Sequence, residues 1–285
     1  MSEFEFLSAL KTLPLHPGAR GLTDDCALIE VGDETLVINH DVMAEGTHFD
    51  AKADLADVAW KLVAVNLSDL ASKGAKPIGI LLGHSLGGND QRFLSGLQEA
   101  MLAFDVPLLG GDTVAVTGAS TYSMTAIGRA TTSPPPWRKG AKIGDKVFVT
   151  GILGRALLGF EGDTDHLEAF ARPEPRLAEG YALAPLVTAM MDVSDGLLLD
   201  AFRIAEVSEV TLAIDSATVP VASHARRDDA MRWGDDYELL FTLPPDLEPP
   251  VDATQIGVVE ARGFAPLMLD SHPILNASGL GYEHA

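Results

Sequence analysis

The stretch DLADVAWKLVAVNLSDLASKG, residues 54–74, predicts one long helix and guides the interpretation of the rest of the chain. Asp57 lies in its first turn and Gly74 follows its last turn, which is typical of a helix start and stop. At about 100° per residue, one face of this helix carries an apolar stripe. The stripe consists of Leu55, Val58, Leu62 and Val65.

Asp69 projects into the middle of that apolar stripe, and Asn66 lies at its edge. A carboxylate that faces a core costs several kcal/mol unless it is paired or bound to a metal. One interpretation is a buried ion pair with Lys61 or Arg129. The other is a metal ligand, which we favour because other carboxylates are abundant and basic residues are scarce.

Apolar runs and helical patterns alternate on both sides of this helix, which predicts α/β and α+β structure. Three successive prolines in SPPPWRKGAKIGD (133–145) cannot belong to a helix or a central strand. We therefore predict two domains, residues 1–135 and residues 136–285. Predicted strands occupy TLVINHD (35–41), IGILLGHSL (78–86), VPLLGGDT (106–113), TYSMTAIGRA (121–130) and KVFVTG (146–151).

Composition narrows the classes of function. The formal net charge of −21 disfavours binding to a nucleic-acid backbone. No apolar run approaches the roughly 20 residues that a membrane helix needs. The single cysteine, Cys26, fits a reducing cytoplasm, and the N-terminus has no basic signal-peptide segment. A capping box of Ser2 and Glu5 predicts a short helix near residues 3–11.

Aspartates recur where apolar runs end or the next element starts. Each alone is explained by a helix cap or a turn, but their recurrence is typical of a ligand site at strand ends. Gly110 and Gly111 precede one of them and would let the backbone approach a phosphate closely. The pattern predicts a magnesium-dependent enzyme that transfers phosphate from ATP. The aspartates are Asp25, Asp41, Asp112, Asp192, Asp195 and Asp235.

Two other functions fit parts of the sequence. Gly83-His84-Ser85-Leu86-Gly87 matches the nucleophile elbow of α/β-hydrolases, and Asp192 with His224 or His272 would complete a triad in the right order. That hypothesis leaves Asp69 and the Gly110–Asp112 turn without a role. A metal-binding or nucleotide-sensing protein without activity is the remaining alternative.

Eight motifs in this order resemble those of the thiamine-monophosphate kinases, a family within the aminoimidazole ribonucleotide synthetase-like superfamily. The resemblance covers nearly the whole chain. Its most specific parts are the VNLSDLA helix, the DVSDGL segment and the DDYELLF segment. The motifs are DDCA (24–27), HDVMAEGTHF (40–49), KLVAVNLSDLASKGAKP (61–77), GGDT (110–113), RKGAKIGD (138–145), RPEPR (172–176), MDVSDGL (191–197) and GDDYELLF (234–241).

The resemblance implies a two-domain fold of mixed sheets flanked by helices. It also implies conversion of thiamine monophosphate to thiamine diphosphate with ATP and several Mg²⁺ ions, in a homodimer paired through the N-terminal domains. Selenophosphate synthetase or purine-pathway synthetase chemistry, found elsewhere in the superfamily, is the alternative activity. Because the acceptor phosphate is already anionic, we expect direct transfer without a phosphoenzyme or a catalytic protein nucleophile.

Matching positions imply roles for individual residues. Metal ligands would be Asp25, Asn39, His40, Asp41, Asp69, Asp112, Asp192 and Asp195. ATP would contact Gly111, Asp112, Arg138 and Ser194. Thiamine monophosphate would contact His48, Asp235 and Tyr282.

Four of these positions carry further expectations. Asn39-His40 replaces the usual pair of threonines or serines, so an amide oxygen and a backbone carbonyl are the expected donors. Asp235 stands where a glutamate is commoner. Ser194 is also a possible cap for the following helix.

Overall fold

The computed structural model describes residues 3–282, so the Ser2 part of the predicted capping box lies outside the described residues. The first half contains three helices, five strands and a short 3-10 segment at Pro17–Leu22. In chain order the elements are α1 (Glu3–Leu10), β1 (Ala27–Val31), β2 (Glu34–Ala44), α2 (Leu55–Ser72), β3 (Ala75–Leu86), α3 (Asp90–Ala103), β4 (Leu108–Ala115) and β5 (Thr121–Ala130).

The first sheet has the strand order β1-β2-β5-β3-β4, with a parallel β3–β4 pair and antiparallel pairs elsewhere. Alternate residues of β2, including Val37, Asn39 and Met43, point to the face that α2 covers. Leu62 and Leu67 of α2 complete that core. The period of two along β2 therefore places Asn39 and Asp41 against α2 and turns His40 to the opposite face.

The second half forms a sheet of seven strands with helices packed against it. The strand order is β12-β11-β8-β10-β6-β9-β7, and β11–β8 is its parallel pair. In chain order the elements are β6 (Lys146–Thr150), α4 (Arg155–Phe160), α5 (Leu167–Ala171), α6 (Leu177–Leu183), β7 (Ala189–Asp192), α7 (Leu197–Ser208), β8 (Val210–Ile214), α8 (Arg227–Arg232), β9 (Leu239–Leu243), β10 (Ala253–Ala261), β11 (Leu267–Leu269) and β12 (His272–Ile274).

Helix α2 packs against both halves. Ala71 on α2 belongs to an apolar cluster with Phe148 and Leu183 of the second half. A side chain at Gly180 in α6 would clash with the Ala71 carbonyl oxygen, so only glycine allows this close approach. The connection between the halves is also anchored, because the Arg20 guanidinium donates hydrogen bonds to the carbonyls of Pro135 and Pro136.

The predicted fold class is confirmed: two mixed sheets flanked by helices. The predicted helix 54–74 agrees with α2, whose first turn is capped by the Asp54 side chain. Two predicted strand ends were wrong, because β2 continues past Asp41 to Ala44 and β4 continues past Asp112 to Ala115. Both aspartates therefore lie within strands. Among the described residues, no helix has the length and apolar character needed to cross a membrane.

Candidate active site

Three aspartates from distant parts of the sequence meet beside α2. Asp25 precedes β1, Asp69 lies in the last turns of α2, and Asp192 ends β7. One carboxylate oxygen from each lies within 4.8 Å of the others. This arrangement places carboxylate oxygens from both halves of the chain around one point, which suits a hard divalent cation. We call Asp25, Asp69 and Asp192 the carboxylate cluster.

Asp25 is the member of the cluster that the protein itself neutralises. The Arg138 guanidinium bonds both of its oxygens, and the Lys73 ammonium lies 3.5 Å from one of them. Burial alone would raise the pKa of Asp25, but the charges of Arg138, Lys73 and Arg203 together lower it below its ordinary value. Asp25 therefore stays ionised in the folded protein.

A second acid, Asp24, holds Lys73 in place beside Asp25. Lys73 lies 2.6 Å from Asp24, and both side chains are inaccessible to solvent. Arg20 lies 2.5 Å from the other oxygen of Asp24. Burial acts to lower the pKa of Lys73, but the charges of Asp24 and Asp25 outweigh it and raise that pKa. The ammonium is therefore a fixed positive charge at the base of the cluster.

Asp69 forms no ion pair with any described residue, although the charge of Lys73 acts on it. Among the described residues its side chain accepts a hydrogen bond from the Asn39 amide at 2.9 Å. Burial, followed by the charges of Asp41 and Asp192, raises the pKa of Asp69 well above its ordinary value. The ion-pair interpretation of Asp69 was wrong, because Lys61 pairs with Asp235 at 2.7 Å and Arg129 pairs with Glu34 at 3.1 Å.

Asp41 lies on β2 next to the cluster and shares the Asn39 amide, which is 3.1 Å from its carboxylate. Burial and then the charges of Asp192 and Asp25 raise the pKa of Asp41 to about 7. The side chains of Asn39 and Asp41 share one face of β2 because they are two residues apart. Asp41 therefore adds a fourth carboxylate beside Asp69, where the described residues form no ion pair.

Two buried oxygens in this region have no hydrogen-bond partner within the described chain, and this is the observation that a metal would explain. They are Oδ1 of Asp192 and Oδ1 of Asn39. The other Asp192 oxygen accepts from the Ser68 hydroxyl at 2.6 Å, while burial and then Asp25 raise the pKa of Asp192 to about 6. The Asn39 nitrogen faces Asp41 and Asp69 in the structure, so the Asn39 oxygen would face a metal at the cluster only after the amide turns by 180°. The residues present therefore fit a divalent metal site.

The 194–196 turn brings three of the predicted residues together. Asp195 pairs with Arg203 and lies on the rim of the site, with a side chain that is 30% exposed. The Tyr282 backbone N–H donates to the Asp195 carbonyl oxygen at 2.9 Å, so the C-terminal segment lies against this turn. The prediction that Ser194 caps the next helix was wrong, because the residue that caps α7 is Gly196.

Two predicted residues lie away from the carboxylate cluster. The His40 ring projects from the opposite face of β2 and lies 2.9 Å from the Thr125 hydroxyl, so the ring cannot serve as a ligand at the cluster. Its backbone carbonyl stays a predicted ligand. Asp112 is exposed on the edge strand β4, where its carboxylate accepts the Thr113 N–H. Gly111 next to it is required by packing, because a side chain there would clash with the Leu82 carbonyl.

The remaining predicted substrate residues lie on different segments. The Ala44 N–H donates a hydrogen bond to the His48 ring at 3.1 Å in the turn after β2. Asp235 lies in the segment before β9, where it contacts Lys61 of α2. Arg138, predicted to contact ATP, is instead engaged with Asp25. The roles of these three residues stay predictions.

The geometry contradicts the hydrolase hypothesis. Ser85 lies inside β3, and its hydroxyl donates to the Thr121 carbonyl at 2.5 Å. His84 lies 3.0 Å from Asp90, while Asp192 belongs to the carboxylate cluster. The predicted triad partners His224 and His272 contact Arg227 and the Asp270 carbonyl respectively. No triad therefore forms around Ser85 among the residues that the structure describes.

Sequence reasoning missed Asp24 and Lys73 as a buried ion pair. A lysine in the last turn of a helix is ordinarily a favourable solvent-exposed charge, so its burial gave no local signal. The pair of adjacent aspartates at 24–25 was the available hint, since two acids in succession require a nearby cation once they are buried. The structure shows that cation to be Lys73.

A separate cavity of about 780 Å³ lies at the contact between the two halves. Its walls include Trp60, Arg172, Arg176 and Glu238, and none of the three clustered aspartates lines it. Arg176 and Glu238 pair there at 2.6 Å. A large volume alone is not evidence of an active site. We therefore assign the active site to the carboxylate cluster and not to this cavity.

Fold and site together define a class of protein. Residues 23–130 match the family model described as AIR synthase related protein, N-terminal domain, and residues 142–265 match its C-terminal domain counterpart. The solved structure of AaThiL complexed with AMPPCP and TMP superposes with a TM-score of 0.88 and 27% identity, over 100% of this chain and 97% of that one. The thiamine-monophosphate kinase structure from Stenotrophomonas maltophilia K279a gives a TM-score of 0.77 and 32% identity, covering 95% and 96% of the chains.

Curated relatives narrow this class to one family. The thiamine-monophosphate kinase of Escherichia coli strain K12 is 36% identical over 252 residues, covering 79% of this chain and 76% of the relative. That of Haemophilus influenzae is 32% identical and covers 92% and 90% respectively. The chain belongs to the thiamine-monophosphate kinase family, and it is an enzyme of the kinase class. The resemblance drawn from its motifs is confirmed.

Proposed function

We propose that this protein phosphorylates thiamine monophosphate with ATP to give thiamine diphosphate. Membership of the thiamine-monophosphate kinase family supports the substrates. The observation that carries the proposal is the half-neutralised carboxylate cluster, in which Asp25 pairs with Arg138 and Lys73 while Asp69 forms no ion pair within the described residues. Excess buried negative charge of this kind suits a site that binds metal together with phosphates.

We further propose Mg²⁺ as the metal. Asp69, Asp192 and Asp41 would hold it first, and Asp25 and the Asn39 oxygen would complete the set. When bound, the ion neutralises charge on two phosphates and so allows them to approach in line. Asp195, Asp112 and the His40 carbonyl stay predicted ligands of further ions.

The protein's own residues would orient the reactants. Arg138 and Lys73 hold Asp25 in one position through their fixed charges. Gly111 packs against the Leu82 carbonyl and stays a predicted nucleotide contact, as does Ser194 in the turn before α7. The acceptor is a phosphate oxygen that already carries charge, so direct transfer needs no protein nucleophile and no strong general base.

A homodimer completes the proposal. The first sheet leaves apolar side chains exposed on its uncovered face and on the edge strand β4. An exposed apolar area of this kind is typical of a protein–protein contact. The residues are Val42, Leu81, Leu108, Leu109 and Val114. Light scattering should give twice the chain mass for the wild type, and Val114→Lys should shift the mass towards the monomer.

The decisive experiment measures ADP release with Mg²⁺ present and with three acceptors compared: thiamine monophosphate, selenide and the purine-pathway substrate. Release that requires thiamine monophosphate and Mg²⁺ supports the kinase. Release with another acceptor alone would assign the protein to another activity of the superfamily. Nucleotide binding without release under any condition would favour a sensor. We also propose a cytoplasmic location, supported by the single buried cysteine Cys26.

A further inference from the structure

Arg203 on α7 is shared by two acids that differ in exposure. One terminal nitrogen of its guanidinium lies 2.5 Å from an oxygen of Asp195 and 2.9 Å from an oxygen of Asp200. The Asp195 side chain is 30% exposed on the rim of the site, whereas the Asp200 side chain is inaccessible to solvent. Arg203 therefore connects a buried carboxylate with a carboxylate that a ligand can reach.

Asp200 is the anchor of this arrangement. It lies one turn before Arg203 on the same helix, and its other oxygen accepts the Asp195 backbone N–H at 3.3 Å. A buried carboxylate that loses its cation is costly, so Arg203 is held at Asp200. Asp195 is partly hydrated and can exchange Arg203 for another cation at a lower cost.

The turn that carries Asp195 is fixed through its backbone by two other segments of the chain. The Tyr282 N–H donates to the Asp195 carbonyl at 2.9 Å, and the Asp235 N–H donates to the Ser194 carbonyl at 2.8 Å. Gly234 permits the second contact, because a side chain there would clash with the Ser194 carbonyl oxygen. The Asp195 carboxylate would therefore keep its place if Arg203 released it.

Arg203 also has hydrogen-bond donors to spare. A guanidinium carries five N–H groups, and the nitrogen that meets Asp195 and Asp200 carries two of them. The described residues accept no hydrogen bond from the other three. The Arg203 side chain is 32% exposed, so these donors are accessible at the rim of the site. The group stays charged at any physiological pH, which makes it a fixed cation.

The charges of this pair act on the carboxylate cluster. The charge of Arg203 is one of those that lower the pKa of Asp25, and the charge of Asp195 is one of those that raise the pKa of Asp41. A metal ion at Asp195 would therefore meet a cation that already occupies its ligand. Like charges at such short range repel, which weakens the binding of the ion.

We propose that Arg203 competes with a metal ion for Asp195, so that the ion predicted there binds only together with the nucleotide. Phosphate oxygens would add ligands and negative charge for the ion, and they would also accept from the spare N–H groups of Arg203. Arg203 would stay paired with Asp200 throughout. The inference rests on the proposed function, and Arg203 lies outside every motif that carries the family resemblance.

The test is the binding of Mn²⁺ to the full chain, measured by electron paramagnetic resonance without nucleotide. Arg203→Gln should tighten the binding at Asp195 about tenfold, which adds about one bound ion per chain at equal free Mn²⁺. With a non-hydrolysable ATP analogue present, the variant and the wild type should bind equal numbers of ions.

Two controls show whether the added ion lies at Asp195. Asp195→Asn combined with Arg203→Gln should abolish it, and an added ion that persists would overturn the proposal. Arg226→Gln is the matched arginine control, because Arg226 also pairs with an acid three residues away, Asp229, but is exposed elsewhere in the second half. It should leave Mn²⁺ binding unchanged.

A further variant allows for the structural role of Arg203. Burial raises the pKa of Asp200 to about 7, so this acid can take up a proton when its cation is removed. Arg203→Gln combined with Asp200→Asn leaves neither charge of the buried pair and should show the same added ion. Wild-type Mn²⁺ binding in both variants, with or without a lower melting temperature, would refute the proposal.

The outcomes separate this inference from the function on which it rests. A wild type that releases no ADP with thiamine monophosphate would refute the proposed function, whatever its Mn²⁺ binding. An active wild type whose Arg203 variants bind Mn²⁺ as the wild type does would refute the competition alone.

Discussion

The two sides of the carboxylate cluster differ in how their charge is balanced. Asp25 lies beside Arg138 and Lys73, and its pKa is lowered. Asp69, within 4.8 Å of it, has a hydrogen bond from Asn39 and a pKa well above its ordinary value. Among the described residues, ion pairs thus form on the Asp25 side of the cluster and not at Asp69. The comparison indicates that aspartate forms structural ion pairs on the Asp25 side, whereas the proposed metal would balance the charge of the same residue type on the Asp69 side.

The largest effect should come from Asp69→Asn. Removing a ligand from the side without cations should lower the turnover of thiamine monophosphate by about 10⁴-fold, or roughly 5.5 kcal/mol of transition-state stabilisation. The melting temperature without metal should stay the same or rise, because a buried carboxylate without a cation is lost. Steady-state kinetics and calorimetry measure the two effects.

Asp57→Asn is the matched control for Asp69→Asn, because Asp57 lies on the same helix but pairs with Arg172 at 2.5 Å. It should keep turnover within about twofold. A large loss of stability in Asp69→Asn with normal turnover would mean that the two sides of the cluster are alike, and the comparison would fail.

Lys73→Met tests the neutralised side. Removing the ammonium leaves Asp24 and Asp25 buried with less compensation, and breaking such a pair costs about 3 kcal/mol of unfolding free energy. Urea denaturation measures this change. Lys76→Met, at an exposed lysine three residues along the chain, should change stability by less than about 0.5 kcal/mol. Equal effects of the two substitutions would contradict the structural role of Lys73.

Added Mg²⁺ should stabilise the wild type through the Asp69 side. At a concentration 100 times its dissociation constant, an ion bound only by the folded state adds about 2.7 kcal/mol. Thermal unfolding with increasing MgCl₂, against NaCl of equal ionic strength, measures the gain. Asp69→Asn should lose most of it, whereas Asp57→Asn should keep it. A gain that survives in Asp69→Asn would place the ion elsewhere.

The smallest effect on stability is expected at Asp236. This residue tests whether burial raises the pKa of an acid without the crowding of acids found in the cluster. Its carboxylate accepts the Gly154 N–H at 2.8 Å, and burial raises its pKa to about 8. A group whose pKa is higher in the folded state stabilises the fold at low pH, and this contribution is lost as the pH rises from about 4 to about 8. Asp236→Asn should therefore gain about 1 kcal/mol relative to the wild type between pH 7 and pH 8.

Denaturant titrations of both proteins at pH 7 and pH 8 measure that difference. The asparagine oxygen can still accept the Gly154 N–H, so the turn before α4 is preserved. A difference that does not vary with pH would mean that burial alone does not raise the pKa of such an acid, and the raised pKa values in the cluster would need charge crowding as their main cause.

The sequence predicted α2 and the special position of Asp69 because both depend on local periodicity. The apolar stripe at three- and four-residue spacing places Asp69 on a buried face whatever the tertiary structure. The motif order then indicated that Asp25 and Asp192 serve the same site. Their separation of less than 4.8 Å depends on the packing of two sheets against one helix, which local patterns do not encode.

Other features of the site depend on the direction of side chains, which could be determined only from the structure. Asn39 and His40 were both predicted as metal ligands. The period of two along β2 directs their side chains to opposite faces of the sheet. The pairing of Arg138 with Asp25 had no signal in the sequence, and its predicted contact with the nucleotide stays a prediction. The left-handed backbone at Tyr237 has no signal in residue type, since tyrosine rarely adopts it.

The position of α2 has a consequence for how the protein folds. Its side chains complete the core of the first half through Leu62 and that of the second through Ala71. The first half needs this helix for its core, and one apolar cluster of the second half is completed by it, so the two halves are expected to unfold in one cooperative transition. An isolated second half, expressed from residue 136, would expose the surface that Ala71 covers and would be prone to aggregation.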